Sequence, residues 1–269
     1  MGTAGAMLLL WSSCSSSRIN GLAAVANIKA ILEYDGTEYC GFQKQPSVRT
    51  VQGELERALA ELFREKAAKV IGAGRTDAGV HATGQVVNFA APERFPTDRV
   101  CPALNGLLPA SIRVKSAEEV PETFHARYSA KARTYVYVVL NRAAPSALLG
   151  RYTWHVTQPL DLQAMEAAAA ELVGTRDFAS FGVPERAGAS TVRRILDFRT
   201  GRRKDAVFFT IRANSFLRGM VRAMVGVLVE VGQGKHRPAE IAEILSARDR
   251  RAAGVSAPPQ GLCLTRVEY

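Results

Sequence analysis

The residues best equipped for chemistry crowd into one stretch, Ile71 to Phe89. A single carboxylate, Asp77, stands there with a guanidinium two residues before it, Arg75, and an imidazole four residues after it, His81. Glycines occupy positions 72, 74, 79 and 84. Glycine permits positive φ and lets a ligand approach the backbone closely, so the pattern describes a shaped loop that presents one acid. An aspartate, with an ordinary pKa of about 3.9, is ionised at neutral pH and can act as a nucleophile or a base. The same residue could also close a turn or cap a short helix, and the loop alone does not decide between these roles.

Other chemistries match poorly. The dinucleotide-binding fingerprint needs a glycine three positions after Gly74, where Asp77 stands, and no G-x-x-x-x-G-K-[ST] occurs. A G-x-S-x-G nucleophile elbow is absent. Glycoside hydrolysis uses two acids, and the loop offers one. Cys14, Cys40, Cys101 and Cys263 include no C-x-x-C, and the four histidines include no H-E-x-x-H. Neither a zinc site nor a disulfide framework is expected. The reading is therefore of a protein without metal or nucleotide cofactor, in a reducing, cytoplasmic setting.

Charge points to the partner. The 269 residues carry a net charge of +10, with pI near 9.8. Residues 1–122 hold 13 Lys/Arg and 13 Asp/Glu, whereas residues 123–269 hold 22 and 12, so the whole excess lies in the second part. A basic half suits a polyanion, because each neutralised phosphate releases condensed counterions. Hydrophobic residues make up 47% of the chain, enough for a real core. Residues 1–25 are rich in Ser and Ala, and their apolar run at Met7–Trp11 is far too short to span a bilayer. They read as a loose extension, and no membrane partner is expected.

The elements that must position the acid follow from periodicity. Ile28–Tyr34 alternates as a strand and Asp35-Gly36 turns it. Thr50 is a plausible N-cap for a helix carrying Val51, Leu55, Leu59 and Leu62. Lys69–Gly72 and Gln85–Phe89 flank the loop as strands, a helix covers Asp98–Leu108, and Ile112–Val120 is another strand. Residues 26–122 thus form one α+β domain, and the change of charge at Pro121–Arg127 marks the start of a second, 123–269. There Thr134–Leu140 is aromatic and β-branched throughout, with Tyr135 and Tyr137 on one face. Tyr152–Val156 is placed beside it. Asp161 caps a helix stopped by Gly174, and Ile195–Thr200 and Ala206–Arg212 bracket a basic hairpin tip. An apolar helix is predicted over Ser215–Val231, with Arg218 and Arg222 on one face. Arg222 needs a partner there, because an unpaired buried charge is costly. Pro238 suits the first turn of a last helix, and Gly261–Tyr269 ends the chain as a strand. A tyrosine on a strand face can stack on an extruded base, worth roughly 1–3 kcal/mol, and flipping a nucleotide out costs a few kcal/mol. One aspartate, basic surroundings and strand aromatics suit chemistry on a flipped RNA base.

The segment Gly74–His81, followed by Thr83–Val87, resembles the signature loop of the tRNA pseudouridine synthase A (TruA) family. Tyr34-Asp35-Gly36 with Tyr39, Gly41, Phe42 and Gln43 is similar to its first-strand motif. Phe124–Arg127 with Ala132, Arg133 and Tyr135, then Asp177-Phe178, Ala213–Phe216, Met220–Arg222 and Gly261-Leu262, continue it in order. Phe42, Asn88 and Gly219 depart from the family's frequent choices, and residues 1–25 have no counterpart. The resemblance implies the pseudouridine synthase fold: α+β, two mainly antiparallel sheets with helices packed on them, facing across a basic cleft. It implies isomerisation of uridine to pseudouridine at positions 38, 39 and 40 of the tRNA anticodon arm, without cofactor, by a homodimer. Asp77 would be the catalytic aspartate, Arg222 its ion-pair partner, Tyr135 the residue stacking on the target base and Arg75 a contact that ejects the nucleotide. His81 would support the loop. A non-catalytic tRNA-binding protein on the same fold, or a synthase for another RNA, are the competing readings.

Overall fold

The computed structural model describes residues 25–64, 69–92 and 95–269; the extension read at residues 1–25 lies almost wholly outside them. The chain runs β1 (Val25–Tyr34), α1 (Val51–Phe63), β2 (Val70–Gly72), β3 (His81–Pro92), α2 (Thr97–Leu107) and β4 (Ile112–Val120). It continues through β5 (Ala132–Asn141), β6 (Trp154–Val156), α3 (Leu162–Glu171), β7 (Gly174–Asp177), β8 (Val192–Arg203) and β9 (Ala206–Ala213). It closes with α4 (Met220–Gly232), α5 (Glu240–Ala247) and β10 (Leu262–Glu268). The fold is α+β and mainly antiparallel.

The strands pair in the order β4-β1-β3-β10-β5-β9-β8-β7, with β2 added to β3 and β6 to β5. The two halves of the chain therefore meet edge to edge in one continuous ten-stranded sheet, in place of the two separate sheets expected, because β10 joins β3 to β5. The C-terminal strand β10 is the seam: it runs antiparallel to β5 and pairs briefly in parallel with β3, where Cys263 faces His81. Alternation decides the buried face. Ile28, Ala30, Leu32 and Tyr34 are at most 2% exposed on β1, and Val207, Phe209, Ile211 and Ala213 are buried on β9. Helix α1 begins where Thr50 accepts a hydrogen bond from the Gly53 amide at 3.2 Å, which satisfies one orphan donor of the first turn.

Three further sequence expectations need correction. The apolar helix starts at Met220, five residues later than Ser215. Gly219 takes φ of 75° there, and Arg218 is held as extended backbone by a two-way bridge to Val183. Arg218 is thus outside the helix and shares no helical face with Arg222. Gly174 does not stop α3: Leu172 is its C-cap, and Gly174 opens β7, a strand the periodicity did not indicate. Strands β8 and β9 run to a two-residue turn at Lys204-Asp205, so Gly201, Arg202 and Arg203 belong to the ladder and the hairpin tip is shorter than expected.

Candidate active site

The loop between β2 and β3 carries Asp77, and buried side chains beneath it fix its backbone. Gln85 is fully buried on β3 and donates to the Gly74 carbonyl at 2.9 Å. The hydroxyl of Tyr34 on β1 shares a hydrogen bond with Thr76 at 2.8 Å. The Phe42 amide donates to the Thr76 carbonyl at 3.0 Å, and the Gly79 amide to the Tyr39 carbonyl at 3.3 Å. The Val80 amide returns to the Asp77 carbonyl at 3.2 Å and closes the turn. Each of these bonds holds backbone or a neighbour, and none engages the Asp77 carboxylate, which is left to face the cavity. Gly79 takes positive φ at this turn, whereas a Cβ at Gly74 would meet nothing within 4 Å. Gly74 therefore borders open space.

Arg222 meets that carboxylate from the other half. Its Nη1 lies 3.4 Å from Asp77 Oδ2, and its Nε donates to the Ala257 carbonyl at 2.7 Å. Of the thirteen residues of α4, only Arg222 and Glu230 are not buried. The segment at 255–257 reaches Arg222 because Gly226, one turn further along, has no side chain: a Cβ there would sit 2.2 Å from the Val255 carbonyl oxygen. The Ala257 amide also bonds the Arg222 carbonyl at 2.9 Å, so the arginine is oriented by neutral groups before it meets the acid.

Between them opens a cavity of about 540 Å³ whose lining includes Asp77, Arg75, Tyr135, Phe216 and Arg222. That size is ordinary for a small-molecule site, about 300–1,000 Å³. Tyr135 projects from β5, is 8% exposed and meets Phe216 edge to face at 5.1 Å. Burial raises its hydroxyl well above the ordinary tyrosine range, and the charge of Asp77 adds to this; the phenol remains protonated at neutral pH. Arg75 donates to Gln43 at 3.0 Å at the mouth.

Sequence reasoning thus named four residues that the fold gathers at one cavity. His81 lies elsewhere, outside the cavity lining. Its Nδ1 lies 3.0 Å from the Gly36 amide and 3.2 Å from Asp35 Oδ1, and its Nε2 faces the Arg151 carbonyl at 2.9 Å. It braces the end of the loop against residues 149–153. Arg133 carried no assigned role in the sequence. It is 9% exposed, lines the cavity, and donates to the carbonyls of Ala73, Arg127, Ala130 and Asn214 at 2.7–3.1 Å. One guanidinium ties the Asp77 loop to two segments of the other half. Its signals were its place in the motif with Ala132 and Tyr135 and an arginine at an inward-facing position of an apolar strand. Among the described residues, no three His, Cys, Asp or Glu side chains converge as a metal site.

Comparison with known proteins identifies the family. A family model described as tRNA pseudouridine synthase matches residues 30–129 and 168–269. A tRNA pseudouridine synthase A from Halalkalibacterium halodurans is 49% identical over 229 residues, covering 85% of this chain and 87% of the relative. One from Acetivibrio thermocellus is 46% identical over 243 residues, covering 90% and 99%. With the match spanning most of the chain and both sides of the cavity, the chain belongs to the tRNA pseudouridine synthase family.

Proposed function

We propose that this protein isomerises uridine to pseudouridine in tRNA, at positions 38, 39 and 40 of the anticodon arm, with Asp77 as the catalytic residue. The observation that carries the reading is the Asp77 carboxylate, 3.4 Å from Arg222, beside Tyr135 in a cavity of nucleotide size. The C1′–N1 bond of the flipped nucleotide breaks, the uracil turns, and C5 bonds to C1′. The proton leaving C5 and the proton gained by N1 balance, so no co-reactant is consumed. Asp77 either attacks C1′ or removes the 2′ proton. Arg222 pairs with the carboxylate and aims it. Tyr135, seated against Phe216, stacks on the uracil and retains it while it turns, which requires a site closed to water. Arg75, at the mouth, contacts the displaced backbone. Residues 26–122 and 123–269 act as the two walls, and the working unit is a homodimer with one arm bound across it.

The test is direct. Purified protein is incubated with an unmodified tRNA transcript and pseudouridines are mapped by carbodiimide-blocked reverse transcription. New stops at 38–40 are expected. Binding without any new pseudouridine would instead favour a non-catalytic tRNA-binding protein. Mapping total RNA from cells with and without the gene separates tRNA from any other RNA target.

A further inference from the structure

Two carboxylates line the cavity, Asp77 and Glu185, against five arginines, Arg75, Arg127, Arg133, Arg218 and Arg222. Asp77 is accounted for by the proposed reaction. Glu185 is not, and an acid at the mouth of a pocket for a polyanion repels its ligand. Glu185 stands on the segment between β7 and β8. Its Oε2 accepts a hydrogen bond from Arg127 Nη2, and its Oε1 lies 3.9 Å from Arg75 Nε. Arg75 belongs to the Asp77 loop and Arg127 to the segment joining the two halves. Arg127 thus donates to the carboxylate, while Arg75, whose Nε–H is spent on Gln43, stands beside it; two guanidiniums from different parts of the chain gathered near one oxyanion suit a phosphate. All three side chains remain open to solvent, at 53% for Arg75 and 39% for both Arg127 and Glu185, so an entering backbone can reach them. Burial pushes the Glu185 carboxyl up, but Arg127 and Arg75 outweigh it and hold it below the usual carboxylate range. The group is an anion at neutral pH.

We propose that Arg75 and Arg127 form a subsite for one backbone phosphate of the bound RNA, and that Glu185 fills this subsite in the free protein and is displaced when RNA enters. This rests on the reading of the cavity as the RNA site. The pair holds Arg127 at the mouth, and it makes an RNA that enters the subsite give up part of its electrostatic gain to displace a carboxylate. An RNA touching only the basic surface leaves the ion pair in place and gains nothing from the subsite, whereas one seated with its phosphate there gains the contact with both guanidiniums.

The experiment measures Kd for tRNA by filter binding across a salt series, with the parent protein, Glu185→Gln, Arg127→Gln and the double variant. Glu185→Gln is expected to bind roughly 3- to 10-fold tighter at about 0.1 M salt, with a log–log salt slope steeper by up to about one unit. The slope changes because in the parent the freed carboxylate takes up a cation as the phosphate releases one. Glu185→Ala is expected to move Kd the same way, which guards against an effect peculiar to one substitution. The gain from Glu185→Gln shrinks in the Arg127→Gln background, since the ion pair to be displaced is already gone. General repulsion by a carboxylate would leave that gain unchanged or enlarge it, and that result overturns the displacement. Equal or weaker binding by Glu185→Gln and Glu185→Ala overturns the subsite altogether. Pseudouridine formation by the parent on the same tRNA is followed in parallel. Conversion with unchanged Kd in the variants rejects this inference alone, and absence of conversion rejects the functional reading instead.

Discussion

The two walls of the cavity hold their charges by opposite means. On the wall from the first half, the backbone of the Asp77 loop is anchored by Tyr34, Gln85 and the Phe42 amide. The carboxylate itself takes none of those bonds. On the facing wall the guanidiniums are anchored directly: Arg133 by four carbonyls, Arg222 by the Ala257 carbonyl. Carbonyls orient an arginine without neutralising it, so both retain their positive charge toward the cavity. The short acid is aimed through its backbone, because an aspartate has little reach of its own. The long cations are aimed through their side chains, because five donors in a planar fork can be spent on scaffolding with some left over.

This contrast can be broken from either wall. The largest effect after loss of the acid is expected from Arg222→Met, which leaves Asp77 without its partner. Pseudouridine formation at saturating tRNA should fall about 10²- to 10³-fold, the range for loss of one preorganised hydrogen-bond donor, while Arg222→Lys retains part of the rate. An equal loss in tRNA affinity would mean that Arg222 serves binding and not the acid.

Arg133→Met should act on stability. It leaves carbonyls of Ala73, Arg127, Ala130 and Asn214 without their donor, and unsatisfied buried groups cost about 1–3 kcal/mol each before relaxation. A net loss of about 2–5 kcal/mol in urea unfolding is expected. Gln85→Leu, on the opposite wall, removes one bond to the Gly74 carbonyl and should cost about 1–3 kcal/mol. Its rate should fall by more than its loss of stability explains, because the loop that aims Asp77 is slackened.

The smallest effect sharpens the placing of His81 away from the chemistry. Burial alone would raise the Asp35 carboxyl, but hydrogen bonds from Thr37 and Tyr152, with His81 alongside, outweigh it and hold it below the usual carboxylate range. A folded pKa below the unfolded one, about 3.9, gives stability that is full above that value and is lost as pH falls through the folded pKa. Asp35→Asn should therefore lower stability by less than about 1 kcal/mol at pH 7, and the difference should fade in urea titrations as pH falls below about 4. Activity should change little, since Asp35 and His81 lie outside the cavity lining.

Much of this was legible in the residues. Alternation and capping placed α1 and β4 within a residue and β1 within three, because short-range patterns set those boundaries. The start of α4 was misread because Ser215–Arg218 reads equally well as helix; the Val183 bridge that holds Arg218 extended comes from a distant loop. The role of β10 as the seam was hidden for a similar reason, since pairing across nearly two hundred residues leaves no local mark. Asp77 stood out among the loop glycines, and Arg222 as a charge in an apolar run. Arg133 and Glu185 did not, because what they do depends on carbonyls and guanidiniums that meet only in the folded chain.

The central claim is that Asp77 does the chemistry while the two walls bind the RNA. Single-turnover pseudouridine formation by Asp77→Asn, measured beside its Kd for the same tRNA, tests it most directly. The account predicts no detectable pseudouridine with a Kd within about threefold of the parent, since a carboxylate-to-amide change removes the reactive group and one negative charge near a phosphate. Pseudouridine formed by Asp77→Asn at anything near the parent rate would contradict it.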